Sequence, residues 1–238
     1  MVETQRRLLL VGGRGAIGEA IQQKFAGQGW QVVTTTRRLA AGESQGEPRV
    51  QFDPLADPSG AVEIERHGPY AAVCWSQGEN LNDSVYTVDE AAHLDLYRAN
   101  CLFIVGSLKL LLSRKLLAPQ ARFCVISSIW QNLARQNKLS YCMTKAALQG
   151  LVLSAAADLA ADGYLINAIL PGALDTPMTR QNLSAAQIDR LASATLFNRL
   201  PRLEDVANLA YFLCSESNTG ITGQFIAADL GFSHVRIL

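Results

Sequence analysis

A doubly wound α/β fold, a mostly parallel sheet with helices on both faces, is what this sequence predicts. Three observations predict it. The apolar runs Leu8 to Val11 and Ala71 to Trp75 do not alternate with polar residues, as strands buried on both faces should not. Segments with helical spacing separate the strand candidates all the way to the C-terminus. Glycines cluster where the first strand hands over to the first helix.

Leu8 to Val11 is a short apolar run that ends in glycines. From Ile17 to Gln28 the spacing is helical, with Ile21 and Phe25 four residues apart. Gln31 to Thr35 is rich in β-branched residues and reads as a second strand. Residues 39 to 49 carry Gly, Ser, Glu and Pro and read as a surface connection. Val50 to Phe52 is a short third strand ending at Asp53-Pro54, Ala71 to Trp75 a fourth and Arg122 to Ser127 a fifth. A long helix fills much of 90 to 117, and Tyr141 to Ala161, dense in Ala and Leu, is another. Tyr164 to Leu170 is a strand that stops at Pro171-Gly172. Residues 175 to 200 hold one or two short helices, with Ser184 a candidate cap for one beginning near Ala185. Glu204 to Cys214 is helical and Gln224 to Ala228 is the last strand. No repeat or low-complexity linker interrupts the alternation, so residues 1–238 read as a single Rossmann-type domain.

Lys plus Arg number 21 and Asp plus Glu number 21, so the formal charge is zero. This argues against a general nucleic-acid binder, because a phosphate backbone rewards a strong positive field. It leaves room for a local basic pocket. The hydrophobic fraction of 49% excludes a mostly disordered chain. The N-terminal apolar run is too short for a signal sequence, and no later stretch reaches about 20 uninterrupted apolar residues. A cytoplasmic protein with no membrane partner is expected. The five cysteines, Cys74, Cys101, Cys124, Cys142 and Cys214, form no CxxC pair. Reduced thiols in apolar surroundings are expected, with neither a disulfide framework nor a metal site.

Glycines in the run Gly12-Gly13-Arg14-Gly15-Ala16-Ile17-Gly18 let the backbone turn tightly and approach a pyrophosphate, which the helix N-terminus then attracts. Gly12, Arg14, Gly15, Ile17 and Gly18 are the candidate contacts. The end of the second strand decides the nucleotide. NAD usually meets a carboxylate there, whereas this chain reads Thr34-Thr35-Thr36-Arg37-Arg38. Arg37 can pair with a 2′-phosphate, and Arg14 can approach the same group from the loop. Arg37 and Arg38 are otherwise ordinary solvated residues. NADP(H) is favoured, with NAD(H) the alternative. Asp53 either meets the adenine amino group or caps the turn at Pro54.

Tyr141 and Lys145 are four residues apart on a helix and share a face. A phenol with its ordinary pKa of about 10 is a poor base at neutral pH, and a nearby ammonium favours the phenolate. Ser128, thirteen residues before Tyr141, follows an apolar strand and can hold a substrate oxygen beside the phenol. Around these residues run Val125-Ile126-Ser127-Ser128, Tyr141-Cys142-Met143-Thr144-Lys145, and the stretch from Asn167 through Pro171-Gly172-Ala173-Leu174-Asp175-Thr176-Pro177 to Met178. Arg202 to Ala207, Phe212 to Ser215 and Ile221 to Gln224 follow. This ordered set resembles the short-chain dehydrogenase/reductases, nearer the classical branch than the extended one, over nearly the whole chain.

The resemblance implies that Ser128, Tyr141 and Lys145 are the catalytic triad and that Asn100 is the catalytic Asn, holding a bend in its helix and a water near Lys145. It implies that Thr176 contacts the nicotinamide carboxamide, and that Ile169 and Pro171-Gly172 shape the nicotinamide pocket. In the implied reaction the nicotinamide passes hydride to a carbonyl carbon, Tyr141 protonates the carbonyl oxygen, Ser128 fixes that oxygen, and Lys145 holds the cofactor ribose. Reversal oxidises an alcohol. Three departures stand out. The glycine loop, with Val11-Gly12 for the usual Thr-Gly, resembles that of the dihydropteridine reductases. Ser76-Gln77-Gly78 replaces Asn-Ala-Gly, with Ser76 and Gly78 keeping the cofactor-binding positions. Asp229-Leu230-Gly231 replaces Asp-Gly-Gly.

Residues 177 to 200 fall where the family puts a variable substrate lid. Trp130, Leu133, Met178, Leu183, Leu191 and Phe197 form its apolar rim, or are ordinary core residues. A carbonyl or alcohol on a small, mainly apolar molecule is the expected substrate, with Ser128, Trp130, Tyr141 and Met178 as its contacts. Only Arg180, Arg190, Arg199 and Arg202 suggest a positive entrance. The family's usual assembly implies a homotetramer through the helices in 90–117 and 141–161, or a homodimer. The other functions kept open are an NAD(H)-linked alcohol dehydrogenase, a pteridine-like reductase, and a nucleotide-binding regulatory or scaffold protein with weak turnover.

Overall fold

A computed structural model describes residues 5–37, 48–55 and 61–235, the side chains of Met178 and Asn182 excepted. Seven strands form one sheet: β1 (Arg7–Val11), β2 (Gln31–Thr36), β3 (Arg49–Gln51), β4 (Tyr70–Trp75), β5 (Leu117–Ile126), β6 (Leu165–Pro171) and β7 (Phe225–Ala228). Their order is β3-β2-β1-β4-β5-β6-β7, and every neighbouring pair is parallel. The helices are α1 (Ala16–Ala26), α2 (Ala61–His67), α3 (Glu90–Tyr97), α4 (Phe103–Ser113), α5 (Leu139–Leu159), α6 (Pro177–Asn182), α7 (Ala185–Ser193) and α8 (Leu203–Cys214). This is the single-domain doubly wound fold that the element order predicts.

The period of two along each strand divides the core. Leu9, Val11, Val73, Trp75, Phe123 and Val125 face one side and pack with Ile104 and Leu111 of α4 and Leu148 and Val152 of α5. Leu8, Leu10, Ala72, Cys74, Cys124 and Ile126 face the other, against Ile21 and Phe25 of α1 and Val206, Ala210 and Leu213 of α8. Both faces are dry, which is why these strands read as unbroken apolar runs. Cys74 and Cys124 sit side by side in register, with Cys214 packed in the same layer. All five cysteines are free thiols.

Some elements differ from the sequence pattern. β5 begins at Leu117 rather than near Arg122, because Leu117 pairs with Tyr70 ahead of a register shift. Pro119 and the positive φ of Gln120 hide that early segment from an apolar pattern. The long helix expected over 90–117 ends at Ser113 and is interrupted by a π-helical turn over Arg98–Leu102, which adds one residue to a turn without breaking the apolar spacing. α2 was not foreseen; Ala61 and Ile64 bury it. Arg38 and most of the connection expected over 39–49 lie outside the described residues. Ser184 caps α7 through the Gln187 N–H, with Gln187 closing a reciprocal capping box. Among the described residues, one helical stretch, Glu90–Ser113, is long and apolar enough to cross a membrane by length and composition. It lays Leu96, Cys101, Phe103, Ile104 and Leu111 into the core.

The strand order reverses direction between β1 and β4, where the loops beyond the carboxyl ends of the strands diverge and open a crevice. At the far edge, the fully buried Asn167 of β6 sets the entry into β7. Its amide donates to Ile221 O (2.7 Å) and its carbonyl accepts from Gln224 N (3.0 Å). Asn167→Ala leaves both backbone groups without this partner, so unfolding in urea is expected to show a loss of about 2 kcal/mol.

Candidate active site

The glycine loop is shaped by close approach. Gly12 has φ +83°, and a Cβ there would lie 2.6 Å from the backbone N of Gln77. A Cβ on Gly18 would lie 2.3 Å from Gly12 O, so only glycine lets α1 pack under the loop. Gly15 meets no such conflict. It is the N-cap of α1 and caps it with no side chain, which leaves the helix N–H groups facing the loop.

Above this loop lies a cleft of about 260 Å³, lined among others by Gly12, Arg14, Gly15, Arg37, Ser76 and Gly78. Arg14, Thr36, Arg37 and Asp53 line a polar annex to it. The uncapped helix end, the backbone cradle and the two guanidiniums fit the phosphates of a dinucleotide. Three expected contacts have other duties as well. The Arg37 guanidinium is bonded to Glu79 across the cleft mouth at 2.6 Å. The Asp53 carboxylate accepts from Leu55 N (3.0 Å), closing the turn at Pro54. The Ser76 hydroxyl donates to Val11 O at 2.7 Å, so it joins β4 to β1. Ile17 is half-buried against the core beneath the loop and does not line the cleft.

The polar cluster gathers at the ends of β5 and α5. Ser128 follows β5, is nearly buried, and caps the short turn Ile129–Gln131. Tyr141 and Ser128 are hydrogen-bonded through their side chains. Lys145 is buried, donates to Ile126 O (3.2 Å), and places Nζ 5.6 Å from the centre of the Tyr141 ring. Gly78 lies over both Lys145 Nζ and Asn100 Oδ1, each 3.6 Å from where its Cβ would be, which joins the cluster to the cleft. Asn100 sits in the π-helical turn. It accepts from Glu79 N (2.8 Å) and donates to Glu79 O (3.1 Å) and Thr144 Oγ1 (3.0 Å). A π turn bends the helix so that this side chain points across to α5.

Burial dominates the electrostatics. It lowers the Lys145 ammonium to about 8, opposed by the nearby Cys101 sulfur. Burial likewise raises the Tyr141 phenol, against the Ser128 hydrogen bond that favours phenolate. The expectation that Lys145 draws the phenol downward is therefore corrected for this arrangement. Desolvation of the phenolate outweighs its polar neighbours.

Residues to which the sequence assigns no place in the site fix the start of α5. Asp83 is buried, accepts from Ser140 N (2.9 Å) and is bonded to the Ser140 hydroxyl; His93 Nδ1 lies 2.8 Å from that oxygen. The Ser140 proton goes to the carboxylate, so His93 donates from Nδ1. Lys138 donates to Asn80 (2.7 Å) and Asn82 (2.5 Å) and stands 5.7 Å from the Tyr141 ring centre. The only sequence signal for this scaffold is the polar run Asn80-Leu81-Asn82-Asp83 after the fourth strand.

The remaining expected contacts lie beyond β6. The Gly172 N–H donates to Ala228 O (3.2 Å) after Pro171, tying β6 to β7. Thr176 caps α6, its hydroxyl accepting from Thr179 N at 3.1 Å. Trp130 and Leu191 line one narrow hollow with Leu200, Pro201 and Phe232, whereas Phe197 is exposed. Met178 belongs to α6, its side chain outside the description. Arg180 is paired with Asp175 through two bonds, at 2.7 and 2.8 Å, which hold the Asp175 carboxyl below its usual range.

A family model described as enoyl-(acyl carrier protein) reductase matches residues 71–233. The chain is similar to the uncharacterized oxidoreductase YmfI of Bacillus subtilis (strain 168), with 27% identity over 94% of this chain and 97% of that protein. Among solved structures, it resembles a short chain dehydrogenase family protein of Francisella tularensis, with TM-score 0.85, 20% identity, and 97% and 99% of the two chains covered. It also resembles ElxO with NADP bound, with TM-score 0.83, 22% identity, and 96% and 99% covered. At these identities the two structures show the fold.

Burying Lys145 makes stability depend on pH. Its folded-state value of about 8 lies below the ordinary 10.5, so the unfolded chain binds more protons between those values. Stability from this group is therefore lowest below pH 8 and rises up to pH 10.5. In urea unfolding, the stability of the wild type relative to Lys145→Met is expected to rise by about 3 kcal/mol across that window. A flat difference would contradict the burial argument.

Proposed function

The chain belongs to the short-chain dehydrogenase/reductase superfamily, through the family whose model matches residues 71–233, and we propose that it is an NADP(H)-dependent oxidoreductase acting on a carbonyl or alcohol group of a small, mainly apolar molecule. The observation that carries this reading is the convergence of Ser128, Tyr141, Lys145 and Asn100 beside the glycine-lined cleft.

The dinucleotide would be held by Gly12, Arg14, Gly15 and Gly78 at the loop, with Ile17 and Gly18 packing beneath it, and by Lys145 at the ribose. Pro171, Gly172 and Thr176 would border its far end. The cofactor, when bound, supplies or accepts the hydride. Ser128 orients the substrate oxygen by a hydrogen bond. Tyr141 delivers a proton to that oxygen, or removes it in the oxidative direction. The raised phenol suits the donor role, because the proton is on the oxygen at neutral pH. Lys145, buried beside the ring, stabilises the phenolate left after transfer. Asn100 is a positioning residue that holds Thr144 on the next turn of α5.

NADP(H) is supported by two arginines and no carboxylate at the end of β2, and by the NADP in the structurally similar ElxO. The Arg37–Glu79 pair favours NAD(H), because it occupies the guanidinium. Its side chains are 60% and 45% exposed, and a pair in that setting contributes little. A 2′-phosphate can replace Glu79 on Arg37. The glycine loop is read as dihydropteridine-reductase-like within an otherwise classical chain, and residues 177–200, Met178 among them, as a lid over Trp130, all within one domain spanning 1–238. The homotetramer is proposed on the apolar groove between α4 and α5, where Tyr97, Leu102 and Val105 are exposed.

Tyr141→Phe is expected to lower turnover at least a hundredfold in a panel of carbonyls and alcohols assayed with both cofactors, while nucleotide binding persists. Unchanged turnover would return the scaffold reading to first place. Arg37→Asp is expected to weaken NADPH binding at least tenfold in a fluorescence titration and leave NADH within about twofold. Equal effects on both would remove Arg37 from the specificity argument.

A further inference from the structure

One ion pair crosses the mouth of the cleft. Arg37, beyond β2, donates from Nη2 to Glu79 Oε1 at 2.6 Å, and Glu79 belongs to the loop after β4. Both residues line the cleft. Arg37 also lines the polar annex with Arg14, Thr36 and Asp53, whereas Glu79 does not. The guanidinium therefore stands where the two spaces meet, and the carboxylate holds it from the cleft. The backbone of Glu79 is fixed. Its N–H donates to Asn100 Oδ1 (2.8 Å) and its carbonyl accepts from Asn100 Nδ2 (3.1 Å), and Asn100 is itself buried. The Glu79 side chain is 45% exposed, with Arg37 as its one ion-pair partner among the described residues.

The contact is a single bond, unlike the two-bond fork between Arg180 and Asp175. A guanidinium carries several N–H donors, so Arg37 can meet a second anion from the annex side. A 2′-phosphate drawn there by Arg14 and Arg37 finds the guanidinium already paired with a carboxylate. It either displaces Glu79 or stands beside its charge, and both outcomes weaken binding. A dinucleotide with a bare 2′-hydroxyl places no anion on Arg37 and meets no such competitor. We infer that Glu79 is a specificity-determining residue, whose carboxylate competes with the 2′-phosphate for Arg37 and so tempers the preference for NADP(H). This rests on the NADP(H) reading above and gives Glu79 a part in setting how strong that preference is.

Wild type, Glu79→Gln, Arg37→Met and the double variant Arg37→Met/Glu79→Gln are titrated by calorimetry with NADPH, NADH and adenosine 2′,5′-bisphosphate. Glutamine keeps the length and removes the charge. Glu79→Gln is expected to tighten NADPH and the bisphosphate about fivefold, the scale of one exposed ion pair, and to leave NADH within about twofold. In the Arg37→Met background, the same substitution is expected to change NADPH by less than about twofold, because the contested group is gone. Unchanged or weakened NADPH binding in Glu79→Gln overturns the inference. An equal gain with NADH also overturns it, since that marks a gate over the whole cleft rather than a choice between nucleotides. A gain that persists undiminished without Arg37 overturns it too, by reducing Glu79 to a general negative charge. A gain with NADPH that the bisphosphate does not share overturns it as well, by moving the effect out of the adenosine half. If the wild type prefers NADH, the NADP(H) reading fails by itself, and the Glu79→Gln titrations still decide whether the carboxylate holds the phosphate off. If the wild type binds neither the dinucleotides nor the bisphosphate, the reading and the inference fall together.

Discussion

The close packing of Gly18 beneath the carbonyl of Gly12 is the constraint on which the functional end of this molecule depends. It brings the first turn of α1 directly under the end of β1, with no side chain between them. That turn has no side-chain cap, so no side chain at the N-cap competes for the N–H groups that the helix end turns toward the loop. The same closeness lets the β4 loop lean on Gly12 through Gln77. The nucleotide cleft is thus a consequence of backbone meeting backbone at two places, and its walls are set by glycines more than by any polar residue.

The chemistry is supported by an interior that accepts polar groups at some cost. Lys145 is buried with a backbone carbonyl as its hydrogen-bond partner, and its ammonium is weakened accordingly. The surrounding network keeps it in place. Asn100 bridges the β4 loop and α5, while Asp83, Ser140 and His93 fix the first turn of that helix. Tyr141 stands between two lysines, each within 6 Å of its ring, yet burial keeps its proton on. The balance between desolvation and nearby charge, rather than the mere presence of a lysine four residues on, sets the phenol.

The elements far from the cleft show a different economy. The segment 177–200 is joined to the body at its distal end, where buried Thr195 accepts from Arg199 N and donates to Arg199 O, and Leu196 N bonds Leu230 O. A Cβ on Gly231 would lie 2.7 Å from the Leu196 side chain, so this anchor is tight. No residue of α7 is buried, so the helix rests on its capping box and the flanking anchors more than on the core. Two arginines of this region are committed to neighbours: Arg180 to Asp175, and Arg199 to Asp205 and Leu200 O. They offer little free positive field to a substrate.

The family resemblance alone joined Ser128, Tyr141 and Lys145 into one set; the sequence by itself determined the strand and helix order, the parallel sheet, the glycine loop and the helix face that Tyr141 and Lys145 share. Each of these is written in local pattern: unbroken apolar runs for strands dry on both faces, an i,i+4 pair for a shared helix face, glycines where no Cβ fits. The bend at Asn100 came only through the family resemblance, and the early start of β5 at Leu117, masked by Pro119 and the positive φ of Gln120, and the helix at 61–67 were not legible, because each depends on contacts with other strands. Neither was the Arg37–Glu79 pair, whose members are 42 residues apart in sequence. Only the tertiary structure decided that Ser76 joins two strands, that Tyr141 is pushed up rather than down, and that Gln77 is left with an unanswered amide. Hydrogen-bond satisfaction and desolvation depend on everything packed around a group, and that surrounding is assembled from segments which no window of sequence holds together.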